Sequence, residues 1–160
     1  MPQIATLGLA RWEDGREIAE MSRDLIEQGL PWSWTAARVQ RFICGVDSSV
    51  VVARRAAHIA AFAVMHVGEE TAHLNLLAVA ADHRRQGLGR RLIDWLTATA
   101  VAAGVFRINL EVRTRNGSAR LFYQALGFQE LDVVAGYYQG REAALRMTRS
   151  LSVPRPGRIL

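Results

Sequence analysis

In the middle of the chain the hydrophobic period changes, and that change limits the architectures open to it. Between Ser48 and Ala80 lie three runs rich in β-formers, SSVVVARR, AHIAAFAVMHVG and TAHLNLLAVA, separated only by turn-like breaks. Connections that short read as an antiparallel meander. From Gly87 the spacing switches: Leu88, Leu92, Leu96 and Ala100 form one helical stripe that stops near Gly104. A strand around Ile4 to Leu9 and helices over Asp14 to Gln28 and Thr35 to Ile43 precede the meander. After Gly104, VFRINLEV alternates as a strand, NGSARLFYQALG reads as a helix ended by Gly127, and FQELDVVAG and REAALRMTRS read as two closing strands. The predicted order is βααβββαβαββ, an α/β domain.

With 160 residues, half of them apolar, the chain is long enough for one packed domain and too short for two ordinary ones. Residues 1–150 are expected to form that domain, and residues 151–160, which include SVPRPGRIL, a loose C-terminal tail. No apolar run approaches the roughly 20 residues of a membrane span, and MPQIATLGLARWEDG lacks the pattern of a secretory leader. The expectation is a cytoplasmic protein with no membrane partner. The single cysteine, Cys44, excludes an internal disulfide and a cysteine-rich zinc site. His58, His66, His73 and His83 show no paired ligand spacing, so no metal is expected.

All 20 basic residues are arginine. Without lysine there is neither a Schiff-base enzyme nor a Walker phosphate loop. The absence of a glycine-flanked serine elbow argues against a serine hydrolase. A net charge of +5 suits an anionic partner, nucleic acid or a polyphosphate cofactor. The segment Arg84-Arg85-Gln86-Gly87-Leu88-Gly89-Arg90 follows an apolar strand and opens a helix. The unsatisfied N–H groups and dipole of a helix start favour an anion there, with arginines around it. The dinucleotide fingerprint fails, because Leu92 stands where a third glycine or alanine belongs.

Taken with LEVRTRN and LFYQALGF downstream, this segment resembles the GNAT superfamily of acetyl-CoA-dependent N-acetyltransferases, and the resemblance covers about residues 1–150. Arg84, Gly87 and Gly89 match its motif of arginine or glutamine, two residues, glycine, one residue, then glycine or alanine. The resemblance implies a GNAT-type acyl-CoA N-acyltransferase fold, a mixed, mostly antiparallel twisted sheet flanked by helices. It further implies that Arg84, Arg85, Gln86, Gly87, Leu88, Gly89 and Arg90 hold the coenzyme A pyrophosphate. The backbone of Leu77, Ala78 and Val79 would pair with the pantetheine arm.

Within the superfamily the chain looks most like the ribosomal-protein-alanine N-acetyltransferases. The pieces that carry this are PWSW at 31–34, LNLLAV before the loop, LEVRTRNGSARLFYQALGF at 110–128, and Tyr137-Tyr138 followed by Gly140-Arg141-Glu142-Ala143. By position in those motifs, Glu111 matches the general base, Tyr123 the general acid at the cofactor, and Asn116 a coenzyme A contact. The partners so implied are acetyl-CoA and a protein or peptide N-terminus, that of a ribosomal protein, with no direct nucleic-acid contact expected. A small amine or a lysine side chain is the alternative acceptor, and a basic ribosome- or nucleic-acid-binding module without catalysis the alternative class.

The residues are compatible with those roles. Glu111 shares a strand face with Arg107 and Asn109, opposite Phe106, Ile108, Leu110 and Val112, so it projects away from the apolar side. Asn116 and Tyr123 lie seven positions apart, close to two helical turns, and share one face. Trp32, Trp34, Tyr137 and Tyr138 read either as core or as a peptide-binding edge, and the acids available to a peptide groove are Glu13, Asp14, Asp47, Glu69, Glu70, Glu130 and Asp132.

Overall fold

A computed structural model describes residues 4–151, so the tail beyond Leu151 lies outside the described residues. The elements are β1 (Thr6–Leu9), α1 (Gly15–Leu25), α2 (Ala36–Cys44), β2 (Ser48–Arg55), β3 (His58–Val67), β4 (Ala72–Val79), α3 (Leu88–Ala102), β5 (Arg107–Arg113), α4 (Gly117–Ala125), β6 (Gln129–Tyr138) and β7 (Glu142–Ser150). Their order is the predicted one. The strands form one sheet in the order β1-β2-β3-β4-β5-β7-β6. Every neighbouring pair is antiparallel except β4 and β5, which are joined through α3 and run parallel.

The apolar runs of β2 and β3 are continuous because both faces of the sheet are covered there. On one face Val51, Ala63, Met65, Leu92, Leu96, Leu110 and Met147 pack beneath α3 and α4. On the other, Val52, Phe62, Val64 and Leu76 pack with Ile18 and Ala19 of α1 and Val39 of α2. A large apolar side chain fully buried in this way contributes about 1.5–3 kcal/mol.

Two boundaries differ from the expectation for physical reasons. α1 ends at Leu25 rather than Gln28. There the N–H groups of Ile26 and Glu27 both turn back to the Ser22 carbonyl, and the buried Glu27 carboxylate accepts from Ser22 Oγ and from the backbone and hydroxyl of Ser33. β6 runs on past Gly136 through Tyr137 and Tyr138, because Gly136 takes a φ of 64° and absorbs an irregularity that lets Tyr138 pair with Glu142.

Candidate active site

The site begins as a fault in the sheet. Met65 of β3 pairs with Leu74 and Val64 with Leu76, so Asn75 is an extra, bulged residue in β4. The bulge switches faces: Ala72 and Leu74 belong to the core under α3 and α4, while Leu76 and Ala78 belong to the core under α1 and α2. It also turns β4 away from β5. Their parallel pairing holds only from Ala72 to Leu74 against Ile108 to Leu110, whereas β5 stays paired to β7 along its whole length. A wedge opens between the two strands, and three adjoining cavities of about 430, 510 and 350 Å³ run through it.

The first cavity lies at the strand-to-helix turn. The Ala80 N–H bonds to the Ala60 carbonyl on β3. By the alternation of an antiparallel ladder, Ala78 also faces β3, and Leu77 and Val79 turn their N–H and C=O groups to the opening. Arg84 Nε reaches the Val79 carbonyl at 3.4 Å from that side. Leu77, Ala78 and Val79, expected to offer backbone to the pantetheine arm, all line this cavity, with the Ala78 main-chain groups directed at β3. The first bond of α3 runs from Arg91 N–H to Gly87 O, which leaves the N–H groups of Leu88, Gly89 and Arg90 without helical partners. Gly87 sits at a φ of 75°, as a left-handed entry requires. Gly89 has a different reason to be glycine: a Cβ there would stand 2.9 Å from Phe122 Cζ of α4. Of the expected loop residues, Arg84, Arg85, Gly87, Leu88, Gly89 and Arg90 line this cavity, and Gln86 is not among its lining.

The middle cavity joins the two ends. Tyr123 and Asn116 line both it and the first cavity, and Glu111 lines both it and the third. Asn116 is the N-cap of α4 rather than a residue on its flank, with its side-chain oxygen accepting from the Ala119 N–H at 3.1 Å. Tyr123 is buried, with its ring edge-on to Phe122 and Phe128, and burial raises its phenol above the ordinary value. Glu111 points away from the core as expected, its side chain 16% exposed, and shares a hydrogen bond of 2.5 Å with His73 Nε2.

The third cavity is walled by the 26–34 loop, α2, β4 and the β6–β7 turn. Trp34 is a core residue that also forms part of this wall, whereas Trp32 is 43% exposed with its indole N–H on the Ala19 carbonyl. Tyr137 and Tyr138 line it too, and burial raises both phenols, with the negative charge of Glu111 adding to the shift. Gln139 Nε2 bonds to the Pro31 carbonyl and ties the turn to the loop. None of the seven acids expected for a groove lines it; Asp14, Glu130 and Asp132 are paired with Arg54, Arg120 and Arg146. The acids present are Glu111 and Glu27. His73 was weighed in the sequence only as a metal ligand, and Asn75 and Glu27 were not singled out; the signal available for the first two is that they interrupt the apolar β4 run. Among the described residues no group of three or more His, Cys, Asp or Glu side chains could hold a metal, and no helix is long and apolar enough to cross a membrane.

The profile of the acetyltransferase (GNAT) family matches residues 18–128. The [ribosomal protein bS18]-alanine N-acetyltransferase of Escherichia coli strain K12 is 40% identical over 97 residues, which is 59% of this chain and 66% of that relative. The matched stretch thus spans just under two thirds of the relative's length. The catalytic subunit of the N-terminal acetyltransferase B complex of Schizosaccharomyces pombe is 36% identical over 66 residues, 41% of this chain and 37% of its own. The crystal structure of the ribosomal-protein-S18-alanine N-acetyltransferase from Escherichia coli superimposes with a TM-score of 0.83 at 28% identity, covering 98% of this chain and 100% of the other.

Proposed function

We propose, because the chain belongs to the acetyltransferase (GNAT) family, that it moves the acetyl group of acetyl-CoA to a protein amino terminus, the N-terminal alanine of a ribosomal protein. The observation that carries the reading is the sharing of walls: Tyr123 faces the cofactor and middle cavities, and Glu111 the middle and acceptor cavities. An acid and a base therefore flank the one place where the two substrates would meet. The identity of the acceptor is supported by the bacterial relative and by the structural neighbour.

The chain's own groups fit acetyl-CoA. Free N–H groups at the start of α3 and the arginines around them suit a pyrophosphate, and the outward backbone of Leu77 and Val79 suits an extended amide arm. When bound, acetyl-CoA supplies an activated thioester. A terminal α-amine has a pKa of about 7.7–8.0, so Glu111 can accept its proton near neutral pH as the new C–N bond forms. His73 fixes the carboxylate that does so. The outward N–H groups near Val79 are placed to donate to the carbonyl oxygen as it gains charge. Tyr123, kept protonated by its burial, gives its proton to the departing sulfur as the C–S bond breaks. The products are an acetylated terminus and a free thiol, and solvent restores both side chains.

The test is thiol release from acetyl-CoA with a peptide bearing a free N-terminal alanine, beside the same peptide blocked at its terminus and carrying a lysine. Release with the free terminus alone, and added acetyl mass at that terminus, is the expected result. Equal release with the blocked peptide would move the acceptor to the lysine side chain.

A further inference from the structure

One polar side chain in the wedge lacks the partner that burial calls for. Asn75, the bulged residue of β4, lines both the middle and the third cavity, as Glu111 does. Its Oδ1 is shut off from solvent and accepts no hydrogen bond from any described residue. The register places it beside Glu111: Leu74 and Leu110 are the last pair of the parallel ladder, and the next residue is Asn75 on β4 and Glu111 on β5. Neighbouring strands lie about 4.8 Å apart where they pair, and successive side chains alternate between faces. Leu74 and Leu110 both face the core under α3 and α4, so Asn75 and Glu111 both turn to the other side, just where the wedge opens. The donors on the surrounding walls are already committed. His73 Nε2 is held by Glu111, Arg113 donates to the carbonyls of Ile26 and Gln28, and Arg115 pairs with Glu142. A bulge re-aims a side chain beside a site, and an enclosed amide oxygen without a donor is a cost that folding alone gives no reason to keep.

We propose that Asn75 binds the terminal amine of the acceptor, its Oδ1 accepting one N–H of the ammonium while Glu111 accepts another. This rests on the N-terminal transferase reading above. An ammonium offers more donors than a single carboxylate oxygen uses. The Glu111 charge draws it in, and the amide oxygen at the matching place on the neighbouring strand is a second acceptor on the walls of the same two cavities. Two fixed bonds settle the orientation of the nitrogen, so that once Glu111 has taken a proton the amine faces along the wedge toward the thioester instead of turning freely. The contact is with the amine that every unblocked terminus carries, so it sets no requirement on the residue that follows and serves a basic peptide as well as a neutral one.

Two peptides test it: one with a free N-terminal alanine, followed by its turnover, and the same peptide with the amine replaced by hydrogen, followed as a competitive inhibitor. Asn75→Leu, close in size but without the oxygen, should lower kcat/KM for the alanine peptide by about ten- to hundredfold. The inhibition constant of the amine-free peptide should be nearly unchanged, and so should acetyl-CoA affinity, since Asn75 is not part of the first cavity. Asn75→Ala removes the same oxygen and crowds nothing, and should follow Asn75→Leu. Asn75→Asp restores an oxygen and should recover most of the loss. Turnover by Asn75→Leu and Asn75→Ala equal to that of the parent, or equal weakening of the amine-bearing and amine-free peptides, would overturn the inference and leave N-terminal transfer standing. Silence of the unaltered protein on every peptide would overturn both.

Discussion

The two ends of the cleft are built on different plans. The end proposed to hold acetyl-CoA is drawn largely from one contiguous stretch, Leu77 to Arg90, closed by α4, and what it offers is mostly main chain: the outer edge of β4 and the first N–H groups of α3. The end proposed for the acceptor takes side chains from four separated places, the 26–38 region, β4, β5 and the β6–β7 turn. A backbone site is fixed once a strand, a glycine turn and a helix follow one another, and it tolerates wide change in side chains. A side-chain site depends on loops that meet only in three dimensions. Binding of a constant cosubstrate suits the first plan and choice of a variable acceptor suits the second.

The largest effect that would test this division is a loss of turnover confined to the junction. Glu111→Gln and Tyr123→Phe should each lower kcat by about 10² to 10⁴ with little change in acetyl-CoA affinity, measured by steady-state rates beside calorimetric binding. Gln keeps the size of Glu111, and Phe keeps the edge-on ring packing of Tyr123 against Phe122 and Phe128. Full activity in both would remove the acid and base from the mechanism. A Glu111→Gln protein that fails to bind acetyl-CoA would erase the division itself, since Glu111 is not part of the cofactor cavity.

The complementary break is at the other end. Gly89→Ala pushes a methyl group to 2.9 Å from the Phe122 ring, which packs against Tyr123 and the core, so α3 and α4 must separate or the ring must move. The expected cost is about 1–3 kcal/mol of stability, together with an acetyl-CoA dissociation constant raised by about tenfold, a shift worth about 1.4 kcal/mol. The preference among acceptor peptides should persist at the reduced rate. Unchanged acetyl-CoA binding would show that the close approach of Gly89 to α4 does not shape the cofactor end.

The same contrast decides what could be read from the sequence. Strand and helix order followed from period and glycine placement, and the loop from Arg84 to Arg90 announced itself because its residues are adjacent. Even there the crowding at Gly89 was out of sight, because the Phe122 ring that a Cβ would meet belongs to another helix. Asn75 could not be recognised as a bulge, since a single extra residue leaves no mark in an apolar run until its partner strand is known. The 2.5 Å contact between His73 and Glu111 spans 38 positions. Glu27 falls inside the helix expected over 14–28 and proves to be the pin of the 27–34 loop.

The smallest effect tests the scaffold that both ends share. α1 supplies Leu25 to the cofactor and middle cavities and leads into Ile26, which lines the middle and acceptor cavities. Its start is held to β2 by Asp14, which accepts two hydrogen bonds from Arg54, at 2.9 and 2.6 Å, and one from the Arg11 N–H. Burial works to raise the Asp14 pKa, but the Arg54 and Arg11 bonds outweigh it and hold the group below its ordinary 3.8. A carboxyl lowered in the folded state stabilises fully above its unfolded value and loses that contribution as pH falls through the folded one. Asp14→Asn should therefore cost about 1–3 kcal/mol at neutral pH, read as a drop in melting temperature, and the gap from the parent should close as pH falls below 3.8. Because α1 serves both ends, acetyl-CoA affinity and peptide preference should hold together at temperatures where the variant is folded. A variant that lost one and kept the other would mean that the helix belongs to one end of the cleft rather than to both.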